Sequence, residues 1–179
     1  MGGNDAIGVV FDIPDEAWTR EIQRLRIVHN PDRAHFPVEI TVAGSSGLGW
    51  LSPSQTRDAI AGQIEEIASD VAPFQTFFSH VEVFPKSQVY YLSLADESPF
   101  HAFQRTLAAS HLQFEAVKFP YKPHCTIAAL SMNATPAAHA ELLDFPVPKH
   151  AITISSLSLY AVNLSANTCH HAHRVRLGA

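Results

Sequence analysis

Two short segments each set an ionisable side chain two residues before a hydroxyl. One is Glu39-Ile40-Thr41, within Phe36-Pro37-Val38-Glu39-Ile40-Thr41-Val42; the other is His124-Cys125-Thr126, within Lys122-Pro123-His124-Cys125-Thr126-Ile127-Ala128. In an extended strand, residues two apart share a face and lie about 6–7 Å from one another. Each segment therefore offers a proton-transfer group beside a hydroxyl, with an apolar residue turned to the other side. An imidazole or a carboxylate in such a place can move protons on and off oxygen, and a threonine hydroxyl can hold a phosphoryl oxygen. Lys122 shares the His124 face, either as a solvated lysine at the strand start or as positive charge beside a phosphate. Pro37 and Pro123 stand near the two strand starts, and Glu39 and His124 are nearly half the chain apart. An internal duplication gives that spacing.

The elements around these segments follow from periodicity and punctuation. Alternation predicts strands over about 7–13 and 37–43. Between them, Pro14 opens a helix with Trp18, Ile22 and Leu25 on one stripe, and Asn30-Pro31-Asp32 breaks it. Gly44 to Gly49 (GSSGLG) has no Gly-Lys-Ser/Thr after it, so it is a connection and not a P-loop. Ser52-Pro53, Ser98-Pro99 and Thr135-Pro136 each set a capping hydroxyl before a first-turn proline, predicting helices over about 53–71, 99–112 and 136–143. Gln55 adds a capping box to the first. Paired strands are expected at about 75–84 and 88–95, joined at Pro85-Lys86-Ser87, with further strands over about 123–130, 150–163 and 169–177. A change of parity inside 150–163 places a bulge near Ser155-Ser156. The order β-α-β-α-β-β-α-β-α-β-β, with a hairpin in its middle, predicts an α+β protein of mostly antiparallel sheet. Residues 1–179 form a single domain on this reading.

Composition narrows the function classes. Of the 179 residues, 46% are hydrophobic and 16% charged, a globular balance that argues against disorder. A net charge of −5 argues against a broad duplex-gripping face and leaves room for an oligonucleotide end or a small nucleotide. Cys125 and Cys169 lie outside any CxxC, so no structural zinc site is expected and a reducing compartment fits. Ala6 breaks a myristoylation motif at Gly2, the N-terminal residues lack a positive leader, and no apolar run reaches the roughly 18 residues of a membrane span. A cytoplasmic monomer without membrane attachment is the default. The eleven histidines are scattered; His171 and His173 share a face of the last strand, where a solvated strand is favoured over a metal site.

Through KPHCTIA, FPVEITV, the strand-turn-strand Phe78 to Leu94 (FSHVEVFPKSQVYYLSL) and the late strand Ser156 to Asn163 (SLSLYAVN), the chain resembles the 2H phosphoesterases. These include the 2′-5′ RNA ligase-like proteins and cyclic nucleotide phosphodiesterases. The resemblance covers nearly the whole length. It implies two pseudo-symmetric lobes around a cleft, with one His-x-Thr/Ser motif from each. It also implies metal-independent chemistry, without a cofactor, on 2′,3′-cyclic phosphates or 2′-5′ linkages of RNA ends, oligonucleotides or small nucleotides. His124 and Thr126 match the second motif. Where the family has its first histidine, this chain has Glu39, followed by Thr41. Glu39 is then a catalytic base partnering His124, a ligand-orienting acceptor, or what remains of a lost activity. In the last case the protein is a nucleotide- or phosphate-binding module. His35 is a substitute only if Pro37 bends the chain sharply.

Overall fold

The computed structural model describes residues 5–85, 87–117 and 119–179, so Gly2 and the turn residue Lys86 lie outside it. Its elements run β1 (Ala6–Asp12), α1 (Ala17–His29), β2 (Glu39–Ala43), α2 (Arg57–Ser69), β3 (Phe74–Thr76), β4 (Phe78–Val83), β5 (Val89–Leu94), α3 (Ser98–Ala108), β6 (His124–Ala129), α4 (Pro136–Leu143), β7 (Ile152–Ile154), β8 (Ser156–Asn163) and β9 (Thr168–Arg176). They build a four-stranded sheet β2-β1-β8-β9, a three-stranded sheet β4-β5-β6 and a two-stranded ribbon β3-β7, with every described pairing antiparallel. The two larger sheets form the two lobes of an α+β fold.

The apolar stripes form one core. Phe11 of β1 meets Phe74 of β3 at 5.8 Å, and Phe100 and Phe103 of α3 at 5.3 and 5.0 Å, all near edge-on. Such pairs each add about 0.5–1.5 kcal/mol beyond area burial. Trp18, Ile22 and Leu25 of α1 are buried as the stripe predicts, and Trp18 crosses to Phe78 of β4 at 5.4 Å. The loop after β2 folds back on its own strand. Gly47 has φ +72, and a Cβ there would lie 1.8 Å from the Val42 carbonyl oxygen, so only glycine fits.

Several boundaries differ from the sequence expectation, each for a physical reason. Helix α1 begins three residues after Pro14, where Glu16 and Thr19 close a reciprocal capping box. Helix α2 is capped by Thr56, whose hydroxyl accepts from the Ala59 N–H at 3.3 Å, and not by Ser52. Gln55 instead donates to the Gln113 carbonyl at 2.8 Å and accepts from the Gln113 N–H at 2.9 Å. Asp96 takes the Ser98 N–H at 2.9 Å at the start of α3, which ends at Ala108. Only Thr135 caps as expected, accepting from Ala138 at 3.3 Å. The 75–84 run divides because β3 pairs with β7 while β4 pairs with β5. The 150–163 run divides likewise: the parity change at Ser155 is a switch between sheets rather than a bulge.

Candidate active site

Each motif strand is an edge. β2 closes one side of the four-stranded sheet and β6 one side of the three-stranded sheet, and Cα pairs of the two come within 8 Å. Their burial alternates in the same way: Ile40 and Cys125 are fully buried, while Glu39, Thr41, His124 and Thr126 lie half-buried on the other face. The period of two placed all four side chains correctly.

A buried cation ties the strands together. Arg26 of α1, 5% exposed, donates to Phe36 and Pro37 carbonyls at 3.0 and 2.9 Å, and to Thr126 and Ile127 carbonyls at 2.5 and 2.9 Å. One guanidinium thus satisfies edge carbonyls of β6 and of the approach to β2. The Glu39 backbone N–H also points at the Cys125 thiol, which burial pushes up to about 12. Tyr121, just before β6, donates its hydroxyl to the Thr41 carbonyl at 3.0 Å.

The two ionisable side chains are perturbed in opposite directions. His124 Nδ1 lies 2.6 Å from the Lys122 carbonyl, which can only accept, so Nδ1 carries the proton and Nε2 makes no hydrogen bond among the described residues. Burial lowers the His124 pKa, and Phe84 and Tyr91 pack against its ring at 4.8 and 5.1 Å. Glu39 Oε1 accepts from the Thr41 hydroxyl at 2.9 Å, while Oε2 is sequestered from solvent without a partner. Burial raises the Glu39 pKa to about 7 against the opposing pull of Thr41 and Arg26, and Asp12 adds to the rise. A carboxylic acid and a neutral imidazole can therefore coexist near neutral pH.

The remaining expected residues are more engaged, or farther off, than the sequence suggested. Thr41 gives its hydroxyl to Glu39. Lys122 is paired with Glu97, which also lies 3.4 Å from His101. His35 stays exposed in the turn before β2, against Phe36. His171 and His173 are on β9, the far edge from β2; His173 meets Glu65 at 2.7 Å and His171 meets Ser158 at 3.2 Å. No group of three metal-ligating side chains occurs among the described residues, and none of their helices is long and apolar enough to cross a membrane.

Arg26, Tyr121, Tyr91 and Glu82 escaped the sequence reading. Tyr91, behind His124, donates to Glu82 at 2.6 Å and holds that carboxyl below its usual range. Arg26 left one signal: it follows Ile22 by four residues, a charge on an apolar stripe. Two surface cavities of about 200 Å³ adjoin the first sheet, one between Asp12, Val38, Tyr160 and Arg174, the other around Arg57, Ile60 and His173; neither is lined by Glu39 or His124.

Two lobes of antiparallel sheet, each presenting one x-Thr edge strand to the other, define a protein of the 2H phosphoesterase class. The chain belongs to the 2′-5′ RNA ligase superfamily, whose family model matches residues 13–164. No curated protein matches it in sequence. Among solved structures it is similar to TT0787 of Thermus thermophilus (16% identity, TM-score 0.66, covering 97% of this chain and 98% of that one). It is also similar to E. coli LigT complexed with phosphate (16%, 0.58, 98% of each chain) and to LigT complexed with 3′-AMP (18%, 0.58, 98% and 99%). At these identities the likeness is one of fold.

Proposed function

We propose that the protein is a metal-independent phosphodiesterase that opens 2′,3′-cyclic phosphates or 2′-5′ linkages at RNA ends or in small nucleotides, with Glu39 and His124 as its proton-transfer pair. The observation that carries this reading is the matched placement of the two side chains on adjoining edge strands, one from each lobe. LigT complexed with phosphate and with 3′-AMP supports a nucleotide-sized ligand for the fold.

Burial reverses the role expected of a carboxylate. With its pKa raised to about 7, Glu39 serves as the acid, and His124, with its pKa lowered and Nε2 free, as the base. On a 2′,3′-cyclic phosphate, water attacks phosphorus and gives its proton to His124 Nε2. The new P–O bond forms as the bond to the leaving ribose oxygen breaks, and that oxygen takes the Glu39 proton. The terminal torsion of glutamate is soft, so the carboxyl can turn its proton toward the leaving oxygen. Return of a proton from His124 to Glu39 through water resets the pair. Each proton transfer contributes about 10²–10⁴-fold. The Thr126 and Thr41 hydroxyls steady the phosphate, Thr41 once a ligand competes for its bond to Glu39. Lys122 adds charge by exchanging Glu97 for phosphate.

A module that binds nucleotides without turning them over is the second reading, favoured by the closure of Glu39 on its own Thr41. Turnover of 2′,3′-cyclic nucleotides and of a 2′-5′-linked dinucleotide, measured in EDTA for wild type, His124→Ala and Glu39→Gln, separates the two. Wild-type turnover lost in both variants establishes the pair; a silent wild type that still binds nucleotide leaves the module.

A further inference from the structure

The cavity lined by Asp12, the strand partner of Glu39, has a construction that the reaction does not use. Strand register lines Thr41, Val10, Ser158 and Arg174 in one row across the four-stranded sheet, and sets Asp12 directly beside Glu39. Arg174, on the far edge strand, reaches back over this face. Its Nε donates to Ser158 Oγ at 3.4 Å and lies 3.1 Å from Asp12 Oδ2 in an ion pair, while Ser156 donates to the same Asp12 oxygen at 2.6 Å. Neither Nη group of Arg174 makes a hydrogen bond among the described residues, and the side chain is 59% exposed. The guanidinium is therefore fixed at one corner with its two-pronged end open, on the wall of a cavity of about 200 Å³.

The rest of that wall is mixed. Tyr160 and Val38 supply flat and apolar surface; Asp15, which holds Arg20 through Oδ1 at 2.9 Å, and Asp12 supply carboxylate oxygens. Two arginines and two aspartates leave no net charge, so the cavity does not suit a second phosphate. It suits an uncharged planar ring with an acceptor pair on one edge and N–H donors on another. Among nucleobases guanine has that pattern: O6 and N7 fit a guanidinium fork, and N1–H with the N2 amine fits a carboxylate. Adenine sets an amine beside N7, which a fork of donors cannot satisfy.

We propose that this cavity is the base subsite of the cleft and that it selects guanine, with Arg174 gripping O6 and N7 and the aspartates facing N1 and N2. The proposal rests on the nucleotide reading above and gives it a substrate class, guanine-bearing nucleotides or RNA ends. Asp12 lies next to Glu39 in register, so a base held there leaves its ribose phosphate over β2.

Calorimetric titration of the four nucleoside 3′-monophosphates into wild type, Arg174→Gln and Arg174→Lys tests it. Guanosine and adenosine, which have no phosphate, report the cavity alone. The guanine compounds should bind about tenfold or more tighter than their adenine counterparts. Both substitutions should abolish the preference, Arg174→Lys included because it keeps the charge and loses the fork. Arg174 is an exposed side chain on an edge strand, so neither substitution threatens the fold. Equal affinity for all four bases, or a preference that survives Arg174→Gln, overturns the proposal. A guanine preference without turnover of any cyclic nucleotide keeps the subsite and refutes the reaction; turnover without base preference does the reverse.

Discussion

Replacing Glu39 by glutamine should stabilise the protein above neutral pH while abolishing turnover. Glutamine matches the protonated side chain in shape and charge, so the two proteins should have similar stability where Glu39 is protonated in both folded and unfolded chains, below about pH 4.5. As pH rises, the unfolded chain releases its proton first, whereas the folded chain keeps it until about pH 7. The folded state binds the proton more tightly, so wild-type stability declines across this window, and the loss is complete above the folded pKa. A shift from 4.5 to about 7 corresponds to roughly 3 kcal/mol, since each unit is worth about 1.4 kcal/mol. Some surface of Glu39 remains exposed, but Oε2 has none, so burial of the carboxyl itself sets the scale. For a chain of this length such a difference moves the melting temperature by roughly 6–12 °C. Thermal melts of both proteins from pH 4.5 to 8.5 should therefore diverge, with glutamine the more stable at the alkaline end. Parallel curves over the whole range would refute the raised pKa and the acid role with it.

Other outcomes follow from the same geometry. The pH profile of kcat/KM should be bell-shaped, falling above about pH 7 as Glu39 ionises and falling on the acid side below the usual histidine range as His124 protonates; an active enzyme with a flat profile from pH 4 to 8 contradicts the pair. Tyr121→Phe removes the bond to the Thr41 carbonyl and should lower stability by about 1 kcal/mol. Its kcat should drop severalfold as β2 loosens, and melts together with kinetics check both. Arg26→Lys replaces a fork bound to four carbonyls by a compact ammonium, so the urea midpoint should fall by the equivalent of roughly 2–5 kcal/mol; an unchanged midpoint means the guanidinium is not the strut between the strands.

What was legible in the sequence was local. Thr135-Pro136 named its helix because cap and proline act within one turn, and alternation placed Glu39, Thr41, His124 and Thr126 on one kind of face. Ser52-Pro53 carried the same local signal and failed, because Gln55 is claimed by the backbone of Gln113, far along the chain. The divided runs at Phe77 and Ser155 are also long-range events. A strand that passes from one sheet to another keeps extended geometry throughout, and only the partner changes. Arg26 is the clearest case: four of its hydrogen bonds end on backbone carbonyls, two of them about a hundred residues away, and carbonyls have no sequence signature. Alternation could present Glu39 as a base because it says which way a side chain points, whereas its pKa depends on the solvent excluded around it.

The same surroundings bear on the acid role proposed for Glu39, at the position where the resemblance implies a histidine, and they yield a last prediction. A general acid at position 39 must be protonated at working pH. Histidine would meet that need as an imidazolium, but here the cation would be desolvated and would face the buried Arg26 guanidinium, and both effects drive its proton off. Glutamate meets the need as a neutral acid, which burial favours. A phosphodiester arriving beside it adds a further negative charge and holds the proton on more firmly. Glu39→His, although it restores the motif that the resemblance implies, should therefore turn over cyclic nucleotides more slowly than wild type, by at least about tenfold at neutral pH. Its optimum should move to lower pH, where the new imidazole can be protonated. Steady-state kinetics of the two proteins from pH 5 to 8 decide the matter. If Glu39→His is the faster enzyme at neutral pH, the carboxyl is not the acid that this scaffold favours and Glu39 marks a catalytic position whose function was lost.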